Sequence, residues 1–158
     1  MKYVILFLLS VSLGTGAYAQ KMSEQQVKDL IDGGSYFFRA QNMYPTGGRA
    51  RIINETNYTL TVQPGELEAD LPYVGRAYQA PVNPTDVGVK FNSKDFGIDK
   101  KTTKKGDLEI KFTPKGDPDI RECLLTVYKN GNANLLFTFN QRQNISYQGI
   151  VLPLDQKK

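Results

Sequence analysis

The chain has 158 residues, a formal net charge of +4, 40% hydrophobic and 23% charged side chains. This is a globular balance, and the length suits one domain. With no histidine, no tryptophan and one cysteine, it excludes Cys/His zinc sites, His-ligated haem, Ser-His-Asp and Cys-His catalysis and any intrachain disulfide, and no cofactor is expected.

Residues 1–19 read MKYVILFLLSVSLGTGAYA. Lys2 opens the segment, Val4 to Leu13 form an apolar run broken only by Ser10 and Ser12, and Ala17-Tyr18-Ala19 is a small-x-small triplet. A signal peptide has this layout, with cleavage expected between Ala19 and Gln20. The run falls short of the roughly 20 apolar residues that span a bilayer. Residues 20–158 then form a single β-rich domain with 19 basic and 16 acidic side chains, a net charge of +3. The expected location is periplasmic or secreted, with no membrane span after cleavage. Cys123, in the apolar run Cys123-Leu124-Leu125, reads as a buried, inert thiol.

Ser23-Glu24-Gln25-Gln26 has the form of a capping box, and Val27, Leu30 and Ile31 follow at helical spacing until Gly33-Gly34. This predicts a short amphipathic helix over about 23–32. After Gly34 the pattern is that of strands. Tyr36-Phe37-Phe38 lead a segment ending near Pro45. Period-2 alternation marks Tyr58–Gln63, Leu108–Thr113 and Leu135–Phe139, the habit of antiparallel strands with one wet face. Gln63-Pro64-Gly65-Glu66 reads as a turn, and Asn130-Gly131 as a type I′ hairpin turn. A last strand is expected over Ile145–Leu152. The count is seven to nine strands. Lys90–Lys115 holds eight lysines centred on Lys100–Lys105 and reads as a solvated loop. An anionic-glycan or membrane-surface patch is the sharper alternative. Nucleic acid is not expected, because no aromatic residue interleaves with those lysines. The expected fold is α+β, mostly β, with the N-terminal helix packed on an antiparallel sheet that forms a sandwich or half-open barrel.

Two clusters combine Arg, Tyr and Gly. The first runs Asp70-Leu71-Pro72-Tyr73-Val74-Gly75-Arg76-Ala77-Tyr78; the second is Asn140-Gln141-Arg142-Gln143-Asn144-Ile145-Ser146-Tyr147-Gln148-Gly149. A guanidinium can stack on a tyrosine ring and still fork onto a carboxylate, so these residues suit a ligand or an internal brace. The candidate binding residues are Tyr73, Arg76, Tyr78, Arg142 and Tyr147. As a brace, the arginines would pair with carboxylates such as Asp70. The Leu-Pro-Tyr-x-Gly-Arg-Ala-Tyr core, the Asn-x-Arg-x-x-Ile-Ser-Tyr-x-Gly stretch, the N-terminal helix and the signal peptide together resemble domain of unknown function family 4251. That resemblance covers nearly all of residues 20–158. It implies a small exported β-rich protein of a Bacteroidetes bacterium, and no catalytic residue.

The expected function is that of an exported, non-enzymatic module binding a small molecule, glycan or peptide. One alternative is a hydrolase of envelope glycans or peptides, with Glu66, Glu68 and Asp70, which share one face if that segment is extended, as its only candidate carboxylates. Another is a structural or inhibitory partner of an envelope protein, which an open sheet edge would favour.

Overall fold

A computed structural model describes residues 22–76 and 88–157. The expected signal peptide (1–19) and Tyr78 lie outside the described residues. Helix α1 spans Glu24–Gly33. Ser23 caps it reciprocally: Gln26 N donates to Ser23 Oγ (3.3 Å) and Ser23 N donates to Gln26 Oε1 (2.8 Å). Gly34 ends it with φ 68°, a left-handed position suited to glycine. Val27 and Ile31 are its buried stripe.

Among the described residues ten strands follow: β1 (Tyr36–Pro45), β2 (Arg51–Ile52), β3 (Thr59–Gln63), β4 (Glu66–Pro72), β5 (Gly88–Ser93), β6 (Phe96–Thr102), β7 (Leu108–Pro114), β8 (Ile120–Val127), β9 (Asn132–Phe139) and β10 (Ile145–Pro153). The sequence pattern missed β2, β5 and β6 as strands. All ten belong to one antiparallel sheet, ordered β5-β4-β3-β1-β10-β9-β8-β7-β6, with β2 on β1. Among the described residues a single sheet takes the barrel form in place of the sandwich, and with one ten-residue α-helix the architecture is more purely β than α+β implies.

The sheet is rolled into a nearly closed barrel, and its topology forces the roll. β5 and β6 stand at opposite ends of the ladder, yet only Lys94 and Asp95 separate them in sequence. Both run in the same direction, so they are two halves of one bent strand. The first half pairs with β4 and the second with β7. Only a curled, staggered sheet brings its two ends to one chain segment.

The Lys90–Lys115 stretch is therefore not a loop. It contains most of β5, all of β6 and β7 and the turn between them. Half of its lysines enter ion pairs: Lys90–Asp70 (3.6 Å), Lys101–Glu109 (2.8 Å), Lys111–Asp99 (3.8 Å) and Lys115–Asp95 (2.9 Å). Lys100 Nζ donates to the Ile31 carbonyl at the end of α1 (3.0 Å), a favourable place for a cation.

The Pro64-Gly65 turn has proline at the first central position and glycine with φ 78° at the second, the demand of a type II turn. The β8–β9 hairpin forms where Asn130-Gly131 predicts it, but not as type I′. Among the described residues no non-glycine has positive φ, whereas type I′ needs it at both central positions. Gly131 N instead donates to Tyr128 O (3.0 Å), and Gly131 takes φ 82° after the turn. This is the three-residue loop with a glycine bulge.

The barrel interior is filled by Phe38, Leu60, Leu67, Ile110, Phe112, Cys123, Leu125, Leu135, Phe137 and their neighbours. Burial holds the Cys123 thiol well above its ordinary pKa, in keeping with the inert role read from the sequence. Val27 and Ile31 of α1 add to this core at the end that holds the 128–131 turn.

Candidate functional site

The two Arg/Tyr/Gly clusters, about 70 residues apart in sequence, meet at the opposite end of the barrel from α1. The first continues from the end of β4, and the second links β9 to β10. Antiparallel order places the end of β4 beside the start of β5, and the start of β10 beside the end of β9. The loop before β8, with Asp119, arrives there too, since Ile120 pairs with Phe139.

Arg142 is the centre of this mouth. Its Nε lies 2.6 Å from Asp119 Oδ2, with both side chains largely buried. Its NH1 donates to Gly88 O at the start of β5 (3.0 Å). The guanidinium carbon sits 4.6 Å from the Tyr73 ring centroid and 4.1 Å from that of Phe139. These two rings meet edge to face at 84°, so the cation fills the corner between them. One side chain thus ties together the β4, β5, β8 and β9 ends, as the planar guanidinium allows and an ammonium would not.

Tyr147 is fully buried, and its hydroxyl donates to Pro72 O at the end of β4 (2.6 Å). Burial raises its pKa well beyond the usual tyrosine range, although Arg142 pulls the other way. Tyr73 donates to Gln143 O (2.9 Å). Gln143 also clamps Arg76 from both sides: Arg76 N donates to Gln143 Oε1 and Gln143 N donates to Arg76 O, each at 3.1 Å. Arg76 itself is exposed. Gly149 sits at the bulge where the β1 register slips between Ala40 and Asn42. A Cβ there would run into the Arg39 carbonyl, so only glycine permits this close approach.

The structure therefore brings Tyr73, Arg76, Arg142 and Tyr147 together. Arg142 pairs with Asp119; the sequence-based partner, Asp70, faces Lys90 instead. Asp119, Phe139 and Gln143 were not singled out by sequence. Asp119 had one local signal: Asp117-Pro118-Asp119 is a tight turn in which Asp117 Oδ1 accepts from Asp119 N and Ile120 N, both at 2.8 Å. Glu66, Glu68 and Asp70 alternate with buried Leu67, Ala69 and Leu71, which puts them on the outside of the barrel. Glu66 accepts from Asn92 (2.7 Å), Glu68 faces Lys157 (3.6 Å) and Asp70 faces Lys90. They form no convergent acid pair in a cleft. Among the described residues no three His, Cys, Asp or Glu side chains gather to hold a metal ion. No described helix is long and apolar enough to cross a membrane.

No curated protein matches the sequence. A solved structure of a DUF4251 family protein from Bacteroides eggerthii DSM 20697 superposes with a TM-score of 0.63 at 16% identity, covering 87% of this chain and 92% of that one. At that identity the likeness speaks for the fold. The model of the domain of unknown function DUF4251 matches residues 18–151. This match spans both clusters and nearly every strand, and by it the chain belongs to the DUF4251 family.

Proposed function

We propose that the protein is an exported, non-enzymatic binding module whose mouth takes an anionic group carried by a glycan or peptide. The observation that carries this reading is the contrast within the mouth. Arg142 is committed to Asp119, Gly88 O and two rings. Arg76 is held by its main chain on both sides, while its guanidinium is exposed and has no hydrogen-bond or ion-pair partner among the described residues. A charged group on a fixed backbone is a preorganised contact, because less freedom is lost on binding. In this reading Arg142 and Tyr147 hold the shape and Tyr73 forms the floor. Export rests on the leader-like residues 1–19.

Titrating 15N-labelled protein with glucuronate-bearing disaccharides tests the site. Shifts centred on Arg76 and Gln143 that vanish in Arg76→Ala support it. Shifts unaffected by that variant, or none at all, contradict it. N-terminal sequencing of protein recovered from its host tests export, with Gln20 as the expected first residue.

A further inference from the structure

β6 is the end of the ladder, and β7 is the only strand hydrogen-bonded to it among the described residues. Two bonds beyond its ends set the phase: Thr103 N donates to Asp107 O (2.8 Å) and Lys115 N to Asp95 O (2.9 Å). Odd-numbered residues thus bond to β7, and the N–H and C=O groups of Phe96, Ile98, Lys100 and Thr102 point to the free edge. Their side chains pair across the ladder with Pro114, Phe112, Ile110 and Leu108, the row that faces the core. Yet Ile98, opposite fully buried Phe112, is 50% exposed. Among the described residues the barrel is open here, and an apolar side chain stands at the middle of an unpaired main-chain edge.

The charges around this edge are uneven. Five lysines of the stretch already have a carboxylate or the α1 carbonyl. Lys94, Lys104 and Lys105 are exposed and have no ion-pair or hydrogen-bond partner among the described residues. They bracket β6, one before it and two after. Lys94 lies in the bend before β6 and Lys104 and Lys105 in the turn after it, so at about 3.3 Å per residue the seven-residue strand between them offers an edge of roughly 23 Å.

We propose that this edge accepts an extended acidic segment of a partner protein as an additional strand, with an apolar residue beside Ile98 and carboxylates at both ends. Main-chain bonds supply affinity in such strand addition, and alternate side chains and charge supply selectivity. The same lysines disfavour a second copy of this chain. Antiparallel pairing centred on Asp99 sets Lys94 against Lys104 of the other copy, and parallel pairing in register sets each lysine against itself; like charges opposite one another repel. This edge is distinct from the Arg76 mouth, and either proposal can fail alone.

The test uses 15N-labelled protein and a ten-residue peptide, Asp-Glu-Thr-Val-Thr-Val-Thr-Val-Glu-Asp, alongside a counterpart with lysine at its four acidic positions. The acidic peptide is expected to shift and slow the exchange of the Phe96, Ile98, Lys100 and Thr102 amides. Ile98→Pro deletes a free-edge donor and leaves the bonds to β7, so it is expected to weaken binding about tenfold or more. The combined change of Lys94→Glu, Lys104→Glu and Lys105→Glu is a surface variant that preserves folding, and it is expected to do the same. Four results would each overturn the proposal: equal binding of the two peptides, binding indifferent to both variants, shifts centred on Arg76, or self-association through β6 without peptide. Heparin binding that matches peptide binding and ignores Ile98→Pro would also overturn it, as a plain polyanion surface.

Discussion

The mouth and the β6 edge handle polar groups in opposite ways. At the mouth, Arg142, Tyr147, Tyr73 and Gln143 each find an internal partner, and the strand ends are sewn together by side chains. Along β6, alternate main-chain groups and the apolar face of Ile98 are left open among the described residues, with exposed cations at either end. Buried polar groups left unsatisfied destabilise the fold, so the internal bonds of the first region help to hold it together. Exposed edge groups are satisfied by water, so the second tolerates being open until a partner displaces that water. An Arg/Tyr-rich motif is therefore not by itself a ligand site. Among the described residues of this motif, Arg142, Tyr147 and Tyr73 bond internally, and the Arg76 side chain faces outward.

Substitutions sharpen that division, from large effects to small. Gly149→Ala is expected to cost about 3 kcal/mol or more, because the new Cβ meets main chain that cannot yield. Gly97→Ala on β6 is the control: its Cβ would lie 3.8 Å from that of Thr113, an ordinary contact, and the cost is expected below about 1 kcal/mol. Arg142→Ala should cost about 2–3 kcal/mol, less than for a wholly buried pair because 18% and 25% of the two side chains remain exposed. Arg142→Lys should recover little of it, since an ammonium neither forks nor fills the ring corner. Tyr147→Phe should cost about 1–2 kcal/mol by leaving Pro72 O unpaired. Urea denaturation measures all of these. Arg76→Ala should stay within about 0.5 kcal/mol. An Arg76→Ala loss as large as that of Arg142→Ala would erase the contrast between the two arginines.

Buried groups also set an alkaline limit. The Cys123 pKa is raised by burial from an ordinary value of 9.0, and those of Tyr36 and Tyr147 from 10.0. The unfolded chain releases these protons at the ordinary values, and the folded chain keeps them. Their contribution is whole below pH 9 and is lost as pH rises, by about 1.4 kcal/mol per pH unit per group. Cys123→Ala should lower stability at every pH and remove the slope that begins near pH 9, leaving the tyrosine limb above pH 10. A wild-type stability flat from pH 8 to 11 would contradict this.

Local signals made much of the fold legible. The Ser23/Gln26 box locates α1, and alternation locates β3, β7 and β9. β6 escaped because its core-facing row is Phe96, Ile98, Lys100, Thr102, apolar for only half its length at the open seam. Hydrophobic periodicity reports burial, and a strand with one unburied end loses the signal. The Asn130-Gly131 dipeptide locates the hairpin without deciding its geometry, since among the described residues glycine alone takes positive φ. At the mouth the residue types were evident but the partners were not. Arg142 and Asp119 are brought together by the β8–β9 pairing, which depends on the whole ladder.

Residue-resolved hydrogen exchange of the free protein tests the central contrast most directly. The amides of Arg76 and Gln143, in a loop but clamped, are expected to exchange slowly beside those of β10. Phe96, Ile98, Lys100 and Thr102 are expected to exchange fast, with Gly97, Asp99 and Lys101 slower between them. Fast exchange at Arg76 and Gln143, or uniform protection along β6 in the monomer, would contradict the account.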